Sequence, residues 1–335
     1  MPYSITSEAK SKGISSFNTP VLLLIFNRPD ATRRVFEAIR QQKPKHFFVA
    51  ADGPRTGRDE DIEKCNAARA IIQVDWDCEF HTLYRDANLG CGKGPSQAIS
   101  WFFQNVEEGI IIEDDSIPAA DFFEYAEILL DKYKDDYRIK VIGSMHLDEN
   151  WYGDGSYYFS MMNRNLCTWA TWKRRWSGFD YYLSDLTEQK LNIVLKNYKV
   201  RLKEREYWCD RLKEIHSDRL GESSWDIQFL MSLWHNKGIG ICPNINLSTN
   251  IGFDNDGTHT KSPDSRAANL ATGSILPLVH PSKIIINRRA DLNYHKIYFQ
   301  PMEYGISGLK RLPFRINKRL KSLTNHKGPW VKNWK

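Results

Sequence analysis

The sequence predicts an α/β protein whose first half forms a mostly parallel sheet flanked by helices, and whose second half is less regular. Over the first 145 residues, short apolar segments alternate with segments of helical periodicity. Strands separated by helices of this length form βαβ units, which build a parallel sheet. Polar residues directly follow several of the apolar segments. Ligands of such sheets bind at the carboxyl ends of the strands, so the sequence predicts a ligand site along one sheet edge.

Each element of the first half has its own signal. Apolar runs predict strands at residues 20–27, 46–53, 78–86, 109–115 and 139–145. Helical patterns predict helices at residues 29–42, 59–73, 94–106 and 119–136. In the first of these helices Val35, Phe36 and Ile39 share one face, and Pro95 suits the first turn of the third.

The second half has weaker periodicity. Residues 185–220 have a charged, helical composition, and residues 223–238 form an amphipathic segment that Ser223 or Ser224 can cap. Residues 238–260 begin as a short strand and continue as a polar, Gly-containing loop, a type that often closes over ligands.

Three tryptophans in the aromatic, basic segment at residues 167–180 have the spacing of a helix face. Trp169, Trp172 and Trp176 are separated by three and four residues. This spacing predicts core packing for at least two of them.

The 335 residues permit one large domain or two modest ones. We expect a polar lead-in at residues 1–19, a ligand-binding half at 20–145, a second half of the same domain at 146–300, and a basic tail at 301–335. The six Cys form no CxxC pair or zinc-type cluster, no apolar run has transmembrane length, and the N-terminus lacks the apolar segment of a signal peptide. These features predict a cytoplasmic protein with reduced thiols.

The net charge of +6 is unevenly distributed. Residues 304–335 contain nine Lys or Arg and no acid, which leaves the rest of the chain with a net charge of −3. A negative body argues against nucleic-acid binding. In the tail, Ile306, Leu309 and Ile316 have helical spacing, which predicts a basic segment on an anionic membrane surface. The alternative is a solvated tail, since Pro313 interrupts the pattern.

The segment GIIIEDD ends a predicted buried strand in three carboxylates, Glu113, Asp114 and Asp115. Neighbouring anions raise one another's free energy, and a divalent cation with a substrate phosphate would relieve that repulsion. The alternative is a solvated turn that caps the next helix. The acids lie in line with polar residues at other strand ends, Asn27-Arg28, Asp52-Gly53 and Arg85-Asp86, which favours the cation site.

Residues 88–96, NLGCGKGPS, resemble a phosphate-binding loop only superficially. Gly94 stands where a Walker A loop needs Ser or Thr after Lys93, Ala87 stands at the leading Gly position, and the glycine spacing does not fit GxGxxG. The segment is predicted to be a flexible turn in which Lys93 is still able to contact a base or phosphate.

Asp226 falls in the first turn of a predicted helix, where two interpretations are open. It can complement the helix dipole, or it can act as a general base that deprotonates an attacking hydroxyl. His235 and His259 have no partner at metal-ligand spacing, so surface or structural roles are their default interpretation.

Ordered motifs across residues 20–260 resemble the GT-A glycosyltransferases, which have a Rossmann-like fold, and within them the group around N-acetylglucosaminyltransferase I and related bacterial sugar transferases. FNRPDATRRVFEAI resembles that group's first strand and helix, AADG its second-strand end, and IIIEDDSIPAADFFEY its acidic metal motif. TWATWKRRW resembles the aromatic segment before the acceptor region, SSWDIQF the helix of the catalytic base, and CPNINLSTNIGFDNDGTH a loop near the donor. A base-contacting His that the family has between residues 86 and 98 is absent, and residues 265–335 have no counterpart.

The resemblance implies roles for individual residues. Asp115 would bind Mn²⁺ or Mg²⁺, and Asp226 would be the catalytic base. The residues expected to bind the nucleotide-sugar are Asn27, Arg28, Asp52, Lys93, Glu113, Asp114, Ser248, Asn250, Gly252 and His259.

The implied activity is that of a metal-dependent, inverting hexosyl- or N-acetylhexosaminyl-transferase. The donor would be a nucleotide diphosphate sugar, a UDP-sugar in preference to a GDP-sugar, and the acceptor a hydroxyl of a glycan or lipid-linked molecule, as in bacterial polysaccharide assembly. A sugar nucleotidyltransferase is a second hypothesis, although its Gly-rich basic loop would stand where NRPDATRR has no Gly. A non-catalytic binding module is a third, and the intact acids disfavour it.

Overall fold

The apolar segments of the first half form neighbouring strands of one sheet. The computed structural model describes residues 17–162, 166–217, 224–252 and 268–298. The strands are β1 (Val21–Ile25), β2 (His46–Ala51), β3 (Glu79–Tyr84), β4 (Glu108–Glu113), β5 (Ser116–Pro118), β6 (Ile139–Gly143), β7 (Tyr157–Ser160), β8 (Thr168–Trp172), β9 (Ile239–Pro243) and β10 (Ser248–Asn250). The helices are α1 (Pro29–Gln42), α2 (Asp59–Ile71), α3 (Gly90–Asn105), α4 (Ala120–Tyr133), α5 (Lys173–Trp176), α6 (Glu188–Asn197), α7 (Leu202–His216), α8 (Asp226–His235) and α9 (Arg288–Tyr298).

Eight strands form the main sheet in the order β3-β2-β1-β4-β8-β6-β9-β7. The first four pair in parallel, as the βαβ pattern predicts. β8 then pairs antiparallel with both β4 and β6, and β9 runs parallel to β6. The carboxyl ends of β1, β2, β3, β4, β6 and β9 therefore lie at one edge. The predicted α/β fold with flanking helices is confirmed, with a sheet that is parallel in its first half and mixed in its second.

Both faces of this sheet are covered. All five side chains of β1 are buried, as is required of a strand that has helices on both sides. Val35 of α1 and Phe122 of α4 belong to the core on one face, and Phe102 of α3 to the core on the other. A Cβ on Gly109 of β4 would lie 2.4 Å from the Phe102 ring, so this glycine lets α3 pack closely on the sheet.

The predicted turn at residues 88–96 is wrong. α3 begins at Gly90, four residues before the predicted helix start, and it includes Lys93 and Pro95. The carboxylate of Asp52 accepts hydrogen bonds from the backbone N–H groups of Leu89 and Gly90. Because this carboxylate satisfies donors that a helix start leaves unpaired, it stabilises the extra turn despite the glycines.

The tryptophan segment also differs from its predicted helical pattern. Trp169 and Trp172 lie on β8, and Trp176 lies on the short helix α5. All three side chains are buried, so the predicted core packing is confirmed although the helix is not. β8 inserts between β4 and β6 through hydrogen bonds to residues distant in sequence, which the local spacing does not encode.

The chain divides into two compact units, and the boundary lies between Ala290 and Asp291. The predicted boundaries at residues 19, 145 and 300 stay predictions. In the described residues, no helix has the length and apolar character that a membrane crossing requires. The tail from residue 301 and the candidate His259 lie outside the described residues.

Candidate functional site

A cleft of about 650 Å³ lies at the carboxyl edge of the first four strands. Residues that follow β1, β2, β3 and β4, the start of α3, and the start of α8 all contribute to its walls. Its charged lining residues are Arg28, Asp52, Arg55, Arg85, Glu113, Asp114, Asp115 and Asp226, and Cys91, Cys167, Asn250 and Gly252 are among the others. The predicted gathering of polar strand ends at one edge is therefore observed.

The acid turn, Glu113–Asp115, follows β4 at the centre of this cleft. The backbone N–H of Phe26 donates to Asp114 Oδ2 at 3.0 Å, and Arg28 Nη1 donates to Asp115 Oδ2 at 2.8 Å. Burial, together with the negative charge of Asp115, raises the pKa of Glu113 to about 8 and that of Asp114 to about 7. The cluster carries more negative charge than Arg28 offsets, which suits it to a cation.

A small antiparallel ribbon of β5 and β10 holds the acid turn in place. The backbone N–H of Ile251, just after β10, donates to the Asp115 carbonyl at 2.7 Å. A Cβ on Gly252 would lie 2.1 Å from Asp115 Oδ2. Only glycine fits at position 252 while Asp115 keeps its position, so this glycine lets the backbone after β10 pack directly against the carboxylate.

One group of described side chains has the spacing of a metal site. Ligand atoms of Glu113, Asp115 and Cys167 all lie within 4.8 Å of one another. Burial raises the pKa of the Cys167 thiol well above its usual value, which leaves carboxylate oxygens as the anionic donors. Oxygen donors suit Mn²⁺ and Mg²⁺, so the donor set of these residues fits the expected metal.

Asp52 lines the cleft, but its carboxylate already has partners. It accepts from the backbone N–H groups of Gly53, Leu89 and Gly90 at 3.0–3.2 Å. Burial raises its pKa, and these hydrogen bonds oppose that shift. A Cβ on Gly94 would come within 3.0 Å of Asp52 Oδ2, so this glycine also allows the close approach.

Asn27 belongs to a separate cluster, with Arg55 and Asp61, that is held together by its own hydrogen bonds. Asn27 Nδ2 donates to Asp61 Oδ1 at 2.8 Å, and Arg55 Nη2 donates to the same oxygen at 2.8 Å. The Arg55 guanidinium holds the pKa of the buried Asp61 carboxyl far below its usual range. Arg55 also lies over the Phe26 ring and lines the cleft, whereas Asn27 is not among the lining residues.

Asp226 is the first residue of α8 and lines the same cleft as the acid turn. Ser224 Oγ donates to Asp226 Oδ1 at 2.8 Å, which fixes one carboxylate oxygen. Asp226 therefore presents a carboxylate to the cleft from a position that a hydrogen bond constrains.

Of the other residues expected to bind the nucleotide-sugar, Asn250 lies in the cleft, whereas Ser248 and Lys93 do not line it. Asn250 lines the cleft, and its Nδ2 lies 3.6 Å from Cys167 Sγ. Ser248 is fully buried and shares a 2.7 Å hydrogen bond with Ser144 Oγ, and neither Ser248 nor Lys93 is among the lining residues.

Sequence reasoning missed three residues of this region: Arg55, Asp61 and Cys167. The sequence predicts Arg85 at this edge because it lies at the end of a predicted strand, but it assigns the residue no role. Asp61 lies in the first turn of α2, where an acid is expected for the helix dipole alone. No local pattern marks Arg55 or Cys167.

The sequence matches no family model and no curated protein. Among solved structures, a mannosyltransferase from Pyrobaculum calidifontis in complex with GDP-Man and Mn²⁺ is similar over 64% of this chain and 68% of that one, with 12% identity and a TM-score of 0.36. Mouse xyloside xylosyltransferase 1 is similar over 64% and 81%, with 9% identity and a TM-score of 0.31. The inositol-1-phosphate CTP transferase from T. maritima is similar over 48% and 73%, with 13% identity and a TM-score of 0.27. Likenesses at these values assign neither a substrate nor a reaction to this chain.

Proposed function

We propose that the protein is a metal-dependent, inverting glycosyltransferase that uses a nucleotide diphosphate sugar. One observation carries the proposal: the acid turn, Asp226 and three arginines all face one cleft at the carboxyl edge of the sheet. The carboxylates suit a cation, the guanidiniums suit phosphate, and Asp226 suits proton transfer from a hydroxyl. The donor is a UDP-sugar in preference to a GDP-sugar, and the transferred group is a hexose or N-acetylhexosamine.

Each residue has a defined part in the reaction. Asp115 would hold Mn²⁺ or Mg²⁺, which when bound supplies positive charge at the leaving diphosphate. Arg28 contacts Asp115 and adds positive charge beside the same group. Glu113, Asp114 and Asn250 position the donor at this end of the cleft.

Asp226 takes the proton of the acceptor hydroxyl while that oxygen attacks the anomeric carbon. The new bond forms between the acceptor oxygen and this carbon, and the bond from the carbon to the diphosphate oxygen breaks on the opposite face. The configuration of the sugar is therefore inverted. Ser224 holds Asp226 in orientation, so less reorganisation is needed in the transition state.

The acceptor is a glycan or a lipid-linked molecule, and the protein acts in the cytoplasm in bacterial polysaccharide assembly. The basic tail at residues 301–335 would bring it to the inner face of the membrane. Binding of the intact chain to anionic liposomes at low salt tests this membrane association separately. The absence of binding to such liposomes would contradict it.

Asp226→Asn separates catalysis from binding. We expect the variant to lose transfer activity by about 10²–10⁴-fold, the range of general acid–base catalysis, and to keep its affinity for the nucleotide-sugar. A thermal-shift screen of nucleotide sugars with Mn²⁺ identifies the donor, and sugar transfer or hydrolysis is then measured with that donor. Asp210→Asn, an exposed change on α7, is the matched control. Full activity of Asp226→Asn would remove the base assignment, and release of pyrophosphate from a sugar phosphate and a nucleoside triphosphate would favour a nucleotidyltransferase.

A further inference from the structure

Arg85 differs from the other two arginines of the cleft. Arg28 and Arg55 form ion pairs with Asp115 and Asp61. The guanidinium of Arg85 makes no hydrogen bond or ion pair with the described part of the chain, and it has only the charge of Asp52 nearby. A guanidinium carries five N–H donors. Because those of Arg85 are half-buried in the cleft and make no hydrogen bond with the described residues, they can donate to an acceptor on a ligand.

The backbone at Arg85 is fixed. Its N–H donates to the Ala51 carbonyl at 3.0 Å, and its carbonyl accepts from Arg69 Nη2 at 2.6 Å. Arg69 also donates to the Asp52 carbonyl at 3.2 Å, which ties the ends of β2 and β3 together. These hydrogen bonds hold the backbone of Arg85 in place, so its guanidinium extends into the cleft from a fixed Cα position.

Asp52, which the resemblance places among the nucleotide-sugar-binding residues, directs its carboxylate to the start of α3. Its two carboxylate oxygens accept four hydrogen bonds from backbone N–H groups, three of them at the start of α3. Rotating this carboxylate toward a ligand would leave the helix start without its partner. Arg85 is thus better placed than Asp52 to make a new contact.

The position of Arg85 along the cleft matches one end of a nucleotide. β3 and β4 are three strand steps apart in the sheet, so Arg85 and the acid turn are separated by about 14 Å along the edge. That separation is comparable to the extended length of a nucleoside diphosphate. If the diphosphate binds at the acid turn, the nucleobase at the other end of the nucleotide lies near Arg85.

We propose that Arg85 recognises the nucleobase of the donor through a ring carbonyl oxygen, so that the cleft binds uracil or guanine nucleotides in preference to adenine nucleotides. This inference rests on the proposed function. Uracil presents a carbonyl oxygen, and guanine presents O6 beside N7, to which an arginine fork donates well. Adenine presents an amino donor at the corresponding position, which opposes the donors of Arg85.

Nucleotide affinity measured by calorimetry with Mn²⁺ tests the inference, using UDP, GDP and ADP and the wild type, Arg85→Met and Arg85→Lys. We expect the wild type to bind UDP or GDP about tenfold or more tightly than ADP, and the tighter of the two identifies the base. Arg85→Met lowers that affinity about tenfold and leaves ADP binding unchanged, because only the carbonyl contact is lost. Arg85→Lys keeps the charge but loses the fork, so it resembles Arg85→Met.

Arg34→Met, on the exposed face of α1, controls for the loss of one positive charge. An equal loss for all three nucleotides would mean that Arg85 contacts phosphate, and the inference would be wrong. Selective wild-type binding that Arg85→Met does not change would overturn the inference alone. A wild type that binds none of the nucleotides would overturn the proposed function as well.

Discussion

The carboxyl edge of the sheet holds two groups of buried acids, and their electrostatic surroundings are opposite. Asp61 is surrounded by donors from Arg55 and Asn27, and its pKa is held far below the usual range by Arg55. In the acid turn, Arg28 forms an ion pair with Asp115, and burial together with the charge of Asp115 raises the pKa of Glu113 and Asp114.

This difference distinguishes an acid whose partners all lie within the chain from the acids that we propose bind a cation. The Asp61 carboxylate has hydrogen-bond donors on both oxygens within the chain, so its charge is offset without a ligand. In the acid turn, ionisation of the clustered carboxylates is unfavourable, and a bound cation would offset their mutual repulsion. Strongly raised carboxyl pKa values in a cleft are a common mark of a functional site.

Asp115→Asn is expected to have the largest effect. The variant keeps an oxygen that can accept from Arg28, but it loses a carboxylate of the candidate metal group. We expect Mn²⁺ binding to be lost and sugar transfer to fall by about 10²–10³-fold, as when a charge-stabilising group is removed. Removing one of three like charges should leave the metal-free protein as stable as the wild type or more so.

Mn²⁺ affinity by electron paramagnetic resonance, transfer rate and urea unfolding measure these three outcomes. Asp86→Asn, an exposed acid after β3, is the matched control. If the variant kept wild-type Mn²⁺ affinity, Asp115 would not be a metal ligand. If transfer activity survived EDTA, the metal would not be required, and Arg28 would be the group that stabilises the leaving diphosphate.

Asp61→Ala should give the reverse result. It leaves Arg55 and the Asn27 amide without their buried partner, and because Arg55 is partly exposed to water the loss costs about 1–3 kcal/mol of unfolding free energy. Because Asp61 is not part of the candidate metal group, Mn²⁺ affinity should not change. Asp59→Ala, an exposed change in the same helical turn, should cost far less. If Asp61→Ala instead abolished Mn²⁺ binding at unchanged stability, the division between the two clusters would be wrong.

The acid turn could be predicted from sequence because its placement follows from topology. Apolar strands alternating with helices specify a parallel arrangement, and Glu113–Asp115 follow one of those strands directly. The Asp61 cluster could not be predicted, since its partners are brought together by packing between α2 and the ends of β1 and β2. The same holds for Ser248, whose hydrogen-bond partner Ser144 lies 104 residues away.

The pH dependence of stability should differ in sign between the two clusters. Glu113 and Asp114 bind protons more tightly in the folded, metal-free chain than in the unfolded chain, where their pKa values are 4.5 and 3.8. Their contribution is full below about pH 4 and is lost as pH rises toward 8, with a slope of at most about 1.4 kcal/mol per pH unit for each group. Asp61 has a lowered pKa, so its contribution is present above pH 3.8 and is lost as pH falls below it.

Urea midpoints in EDTA at pH 5, 6, 7 and 8 should therefore fall with pH, and saturating Mg²⁺ should remove most of that fall because a bound cation favours the ionised carboxylates. Asp115→Asn should flatten the EDTA series, since the charge of Asp115 contributes to both raised pKa values. The Asp61→Ala series should keep the wild-type slope at a lower overall stability. EDTA midpoints that rise from pH 5 to 8 in the wild type, and fall only in Asp115→Asn, would show that the acid turn is not the destabilised cluster.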